Sequence, residues 1–191
     1  VQTPFGGRRI VYADFTASGR QLAFLEDHLR DVAAVYANAH TEDSVTGRTA
    51  TRLLHEAESA IKRAVGAGSG GKVICCGNGS TGAIHKLQQL LGIAIPPATL
   101  HELATRLDPQ LEDEEAGGRL AYDLREQGPV VFVGPMEHHS NEVTWREGLC
   151  TTVEIGLDAE GLVDLPDLES HLKDARWEGR RKIGSFCAGS N

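Results

Sequence analysis

The sequence predicts an α/β domain with a largely parallel sheet and flanking helices. Three observations carry that expectation. Short β-prone runs alternate with helical ones through the second half of the chain, as βαβ units require. Residues 129–134, 151–155 and 182–188 are brief apolar runs of strand length, and the last two are separated by a helical pattern. Polar clusters fall where such strands end, at Gly79-Ser80-Thr81, Glu137-His138-His139 and Ser190-Asn191. Open parallel sheets place their ligands at the carboxyl ends of their strands.

The elements follow in order. Residues 10–13 form a short apolar run before a turn-prone stretch to Gly19. Leu22, Leu25, Leu29, Val32 and Tyr36 recur at helical spacing and predict a helix with one buried stripe. Residues 38–47 read as a loop. Leu53, Leu54, Ala57, Ile61, Ala64 and Val65 mark a second helix, which Gly66 ends. Residues 72–76 read as a strand and residues 77–82 as a Gly-rich turn. Ala83, Ile84, Leu87, Leu90 and Leu91 then give one helical face, which Pro96-Pro97 is expected to close. Another helix is expected over 98–107 and an acidic surface excursion over 108–118. Leu165, Leu168, Leu172 and Ala175 mark the helix between the last two strands.

With 191 residues, the chain can bury a substantial core as one large domain or one and a half. The organisation expected is a helical segment over 1–66 and an α/β portion over 67–191. The net charge of −8 and the lack of any basic block argue against a nucleic-acid partner. No apolar run reaches the roughly 18 residues that cross a bilayer. Cys75, Cys76, Cys150 and Cys187 show no CxxC spacing. Three of them sit in or beside strand-like runs, where Cys acts as a small buried hydrophobe. A reducing setting is expected, the cytoplasm first and an organelle as the alternative.

Two clusters carry chemistry, and each has a plain reading beside the functional one. Ser80 and Thr81 open a helix, where hydroxyls can simply cap it. The glycines at 77, 79 and 82 equally suit a phosphate brought close to the backbone. This is not a Walker loop, because no Lys-Ser/Thr pair follows. His138 and His139 follow a strand beside Glu137. They read as a solvated loop, or as a site that one of the two faces, since neighbours on extended backbone point to opposite sides. A metal site would need both to reach one point.

The motifs then resemble a family. Residues 12–17, Tyr-Ala-Asp-Phe-Thr-Ala, are similar to the Tyr-Leu-Asp-x-Ala-Ala opening of cysteine desulfurases and class V aminotransferases. Asn38-Ala39-His40 resembles their Asn-x-His loop. Residues 79–84, Gly-Ser-Thr-Gly-Ala-Ile, resemble their Gly-Thr-Thr-Glu-Ala-Ile phosphate turn. Residues 136–141, Met-Glu-His-His-Ser-Asn, with Trp145 following, match the Met-Glu-His-His-Ser-Asn…Trp segment of the SufS-like branch. Gly189-Ser190-Asn191 resembles the Val-Ser-Asn that closes the next strand. The set spans almost the whole chain, in order.

The resemblance implies part of the large domain of a fold-type-I pyridoxal 5'-phosphate (PLP) enzyme, acting on an amino acid as a cysteine desulfurase or class V aminotransferase does. His138 would stack on the pyridine ring and shuttle protons. Ser80 and Thr81 would bind the phosphate, and Asn191 would reach the phenolic oxygen. The intact protein would be a homodimer. Gly82 stands where the family has glutamate, and residues 38–51 fit loosely, which leaves the substrate open. None of Lys62, Lys72, Lys86, Lys173 or Lys182 has the Ser-x-His-Lys context of the family's Schiff-base lysine. The chain is therefore expected to be an incomplete piece, inactive alone: a truncated chain, an ordered fragment or a split-gene product. Two rival functions stand beside this one. One is a non-catalytic binding or scaffold module, and the other a metal-dependent hydrolase using His138 or His139 with Glu137.

Overall fold

The computed structural model describes residues 1–107 and 116–189. The acidic run 112–115 lies outside the described residues, as do Ser190 and Asn191. The chain divides into two compact units, Val1–Cys75 and Cys76–Ser190.

The first unit opens with a small antiparallel pair, β1 (Gln2–Thr3) and β2 (Gly6–Gly7). Helix α1 spans Ala23–Val35 and helix α2 spans Val45–Ala64. The apolar stripe on α1 exists, but it is not buried: Leu25, Leu29 and Tyr36 are all exposed. Helical period decides which residues share a face, not whether anything covers it. Helix α2 begins well before its apolar pattern does, because Ser44 caps it, accepting the Gly47 N–H at 3.0 Å. The preceding loop folds back on the helix through Thr51, whose Oγ1 accepts the His40 N–H at 3.0 Å and donates to the Thr41 carbonyl at 3.2 Å. His40 takes the left-handed conformation there, φ 67°.

Residues 72–76 are not a strand. β-Propensity alone does not make a strand, which needs a ladder partner and a face to bury. Ile74 is exposed instead.

The second unit is α/β with a parallel three-stranded sheet. Its elements are α3 (Gly79–Leu90), α4 (Pro97–Leu107), α5 (Ala116–Gln127), β3 (Val130–Val133), a 3-10 turn (His139–Asn141), α6 (Val143–Arg146), β4 (Thr151–Glu154), α7 (Leu165–Lys173), a second 3-10 turn (Ala175–Trp177) and β5 (Lys182–Ser185). The strand order is β4-β3-β5. Val130 pairs with Thr151 on one side and Lys182 on the other, and both ladders are parallel.

All four residues of β3 are buried, as a central parallel strand requires. Its alternate side chains serve two cores. Val131 and Val133 pack with Ile93, Trp145 and Cys150, and with Ile84 of α3. Val130 and Phe132 pack with Ile155, and with Leu168 of α7 and Trp177. Each such side chain contributes about 1.5–3 kcal/mol by leaving water. The result is a layered arrangement with α3 on one face of the sheet and α7 on the other.

Two expectations near α4 need correction. Helix α3 ends through Gly92, at φ 72°, rather than at the prolines. Pro97 opens α4, where its fixed φ suits a first helical residue and no N–H is missed. Residues 116–118 begin α5 instead of continuing a surface excursion. Gly117 allows that helix to pack on α4: a Cβ there would stand 3.0 Å from the backbone of His101. Among the described residues no helix is long and apolar enough to cross a membrane.

Candidate functional site

The Gly-rich turn is built by close backbone approach. Gly77 (φ 53°) and Gly79 (φ 59°) take the left-handed conformation, which a side chain would strain. A Cβ on Gly82 would lie 2.8 Å from the Gly77 Cα. Helix α3 starts immediately, with Asn78 at the cap position and no side-chain capping bond. Its first backbone bond runs from the Gly82 N–H to the Asn78 carbonyl at 3.2 Å. The N–H groups of Gly79, Ser80 and Thr81 thus precede the first intrahelical bond and belong to the positive end of the helix. Ser80 and Thr81 are exposed and lie inside the first turn. That places them beyond the capping position, which falls to Asn78. Three N–H groups and two hydroxyls here form a donor set suited to an oxyanion.

The second cluster follows β3. Glu137 is the hub of the turn. Its Oε1 accepts the Gly134 N–H at 3.2 Å, and its Oε2 accepts Nδ2 of Asn141 at 2.7 Å. The Cys187 N–H, just beyond β5, points at both oxygens, at 3.0 and 2.9 Å. Asn141 is buried, and its Oδ1 accepts the Trp145 indole N–H at 3.1 Å and the Ser185 hydroxyl at 2.6 Å. Burial alone would push the Glu137 carboxyl up. Hydrogen bonds from Cys187, Asn141 and Gly134 outweigh it and hold the group below its ordinary value. The same contact, from the other side, pushes the Cys187 thiol up.

His138 lies in the segment that follows the carboxyl end of β3 and is exposed. Its Nδ1 accepts the Ser140 N–H at 3.1 Å and lies 2.9 Å from the Ser140 hydroxyl. The Ser140 N–H fixes Nδ1 as an acceptor, so the neutral ring carries its proton on Nε2. The expected alternation with His139 does not hold. His138 is extended (φ −65°, ψ 144°) but His139 already belongs to the 3-10 turn, and their rings lie 6.2 Å apart. Both are exposed.

α3, which bears Ser80 and Thr81, packs against the 139–141 turn that follows His138; no hydrogen bond joins these three residues among the described ones. Gln88 of α3, itself buried, ties the same region through Thr144 Oγ1 at 2.9 Å. Asn191 lies outside the described residues. A cleft of about 840 Å³ opens elsewhere in this unit, lined by His85, Ile93, Pro97, Leu100, His101 and Arg125 among others, and none of the expected site residues borders it. Among the described residues no three His, Cys, Asp or Glu side chains converge as metal ligands. Both oxygens of Glu137 accept hydrogen bonds from within the fold. All four cysteines are free, and only Cys150 is buried. The expectation of a buried role thus fails for Cys75, whose expected strand does not form, and for Cys187, which lies past the end of β5; Cys76 is half-buried.

Sequence reasoning quoted Glu137 and Asn141 as motif letters and missed their work, together with Ser185. The signal was partly visible: Glu137, Asn141 and Trp145 follow one another at helical spacing, four residues apart.

No family model matches this sequence, and no curated protein does. Among solved structures, the chain is similar to a Pyrococcus horikoshii kynurenine aminotransferase in complex with PMP, with 13% identity and a TM-score of 0.26. The likeness covers 90% of this chain and 41% of that one. At that TM-score it decides neither fold nor chemistry.

Proposed function

We propose that this chain supplies the phosphate-binding and ring-facing parts of a PLP site in a fold-type-I enzyme acting on an amino acid, desulfurase-like first and class V aminotransferase-like next. The observation that carries the reading is the tight 77–82 turn, which presents the open first-turn N–H groups of α3 beside two hydroxyls. Its residue pattern and that of 136–141 resemble those of the family, with Gly82 in place of the family's glutamate.

The donor set fits the group. The N–H groups of Gly79, Ser80 and Thr81, with both hydroxyls, would hold the phosphate, and the absent Cβ atoms at 77 and 82 let the turn close. His138 would face the ring. With Nδ1 held by Ser140, Nε2 is its nitrogen free to hold or pass a proton. Asn191 is proposed for the phenolic oxygen. When bound, PLP supplies the electron sink, and the protein supplies orientation and charge. The reading assigns the lysine to a part of the protein beyond this sequence, and the working unit to a homodimer.

The test uses the full chain and pyridoxamine phosphate, which has no aldehyde and so cannot react with surface lysines. Saturable binding by fluorescence is expected, weakened at least tenfold in a Ser80→Ala/Thr81→Ala double variant. Such bonds to a charged group contribute about 1.5–3 kcal/mol each. Absence of saturable binding, or equal binding by the double variant, overturns the reading.

A further inference from the structure

We propose that Glu137 is a positioning residue: its ionised carboxylate latches the segment leaving β3 to the segment leaving β5, and through that latch sets the pose of His138. The latch is a matter of geometry alone, while its bearing on function rests on the reading above.

Every group around the carboxylate is a donor. Gly134 approaches from the end of β3, Asn141 from the 3-10 turn, and the Cys187 N–H from beyond β5. The Cys187 thiol beside it is pushed up by the carboxylate. An acceptor-only group is therefore required, which a carboxylate is and an amide is not. Glu137→Gln would present an NH₂ to a neighbour that has only N–H to offer. One donor would lose its partner, and the segments would part.

His138 is caught inside this closure. It lies next to Glu137 in sequence, and its ring is held by Ser140, within the turn that Asn141 ends. Asn141 in turn is fixed at both ends. Its amide N–H reaches Glu137, while its oxygen takes Trp145 from the core and Ser185 from β5. The pose of the imidazole is thus determined by a chain of bonds that begins at the carboxylate and ends in the core. Gly134 is part of the fit, since a Cβ there would lie 2.9 Å from Glu137 Oε1. The titratable group facing the latch is the Cys187 thiol from the β5 side; His138 and His139 follow Glu137 in its own turn, with no bond from either ring to the carboxylate. No side chain of α3 is bonded to it among the described residues.

The test reads His138 itself, without any cofactor, by NMR of the full chain labelled in its imidazole and backbone nitrogens. In Glu137→Gln, displaced His138 ring signals are expected together with a displaced Cys187 amide, with Val130–Val133 unmoved. A Cys187 amide that moves while the His138 ring signals stay in place overturns the proposal. Should that variant fail to fold, the wild-type protein decides. The carboxyl carbon of Glu137 is followed with pH, and the Cys187 and Gly134 amides and the His138 ring are expected to share its midpoint. A His138 ring indifferent to that midpoint overturns the proposal equally. Neither measurement contains PLP, so a failure of cofactor binding leaves both results standing and counts only against the functional reading.

Discussion

Gly77 and Gly82 face each other so closely that a Cβ added to either would stand 2.8 Å from the other's Cα. The contact is backbone against backbone, so no flexible side chain can yield. Gly82→Ala is expected to destabilise the protein by about 1–3 kcal/mol, the usual cost of overpacking. Gly77→Ala should cost more, because position 77 also takes a positive φ. Urea titrations of both variants check this, and equal stability of Gly82→Ala and the wild type would refute the packing argument.

Asn141 offers a sharper test, because all three of its side-chain bonds are specified. Asn141→Leu should cost about 1–3 kcal/mol, the penalty for leaving a buried partner such as the Trp145 N–H unpaired. Asn141→Asp should be worse despite its closer shape. It sets a second carboxylate against Glu137, where the amide now donates at 2.7 Å. Thermal melts that rank Asp above Leu in stability would contradict the assigned amide orientation.

His138 and His139 separate by what their rings are bonded to. If the functional reading holds, His138→Ala in the whole protein should lower turnover about 100- to 10,000-fold, the range of a positioned general acid–base. Its loss of stacking should weaken cofactor retention only modestly, by about 0.5–1.5 kcal/mol. His139→Ala should leave both close to the wild type. Steady-state kinetics on the two variants, with and without chelator, make the comparison; equal losses with chelator sensitivity would favour a metal.

The pH dependence follows from Glu137. Its carboxyl titrates below the ordinary value of 4.5, so the folded state favours the ionised form. Its contribution to stability is complete above that ordinary value and is lost as pH falls through the lower, folded-state one. The stability gap between the wild type and Glu137→Gln should therefore be constant near neutrality and narrow in acid. Denaturant midpoints measured from pH 7 downward read it directly, and a gap that widens in acid would contradict the direction.

Much of the sheet was legible in the sequence, and most of the latch was not. β3 announced itself because local pattern and tertiary burial agree there: Val131 and Val133 serve one core, Val130 and Phe132 the other. α3 and α7 were legible from helical period alone, since Leu87, Leu90, Leu165 and Leu172 of their expected faces are exposed. Residues 72–76 misled for the opposite reason, having strand composition without a partner. Pro97 was read as a stop although proline is also a good first helical residue. The turn at 77–82 could be located from its glycines, but the contact between Gly77 and Gly82 joins residues whose closeness no period encodes. Glu137 and Cys187 are far apart in the chain, and only the pairing of β3 with β5 brings them together.

That pairing also orders events in time. β3 reaches β4 across one short excursion through the 3-10 turn and α6, but reaches β5 only after α7 has formed and returned the chain. Closing the longer loop costs more entropy, and parallel pairing repays it late. The β3–β4 ladder is therefore expected to gain protection before the β3–β5 ladder, so the Cys187 amide should be among the last to resist exchange during refolding. The carboxyl edge would then be the final part of this unit to acquire a defined shape, and pulse-labelled hydrogen exchange showing Cys187 protected ahead of Val153 would reverse that order.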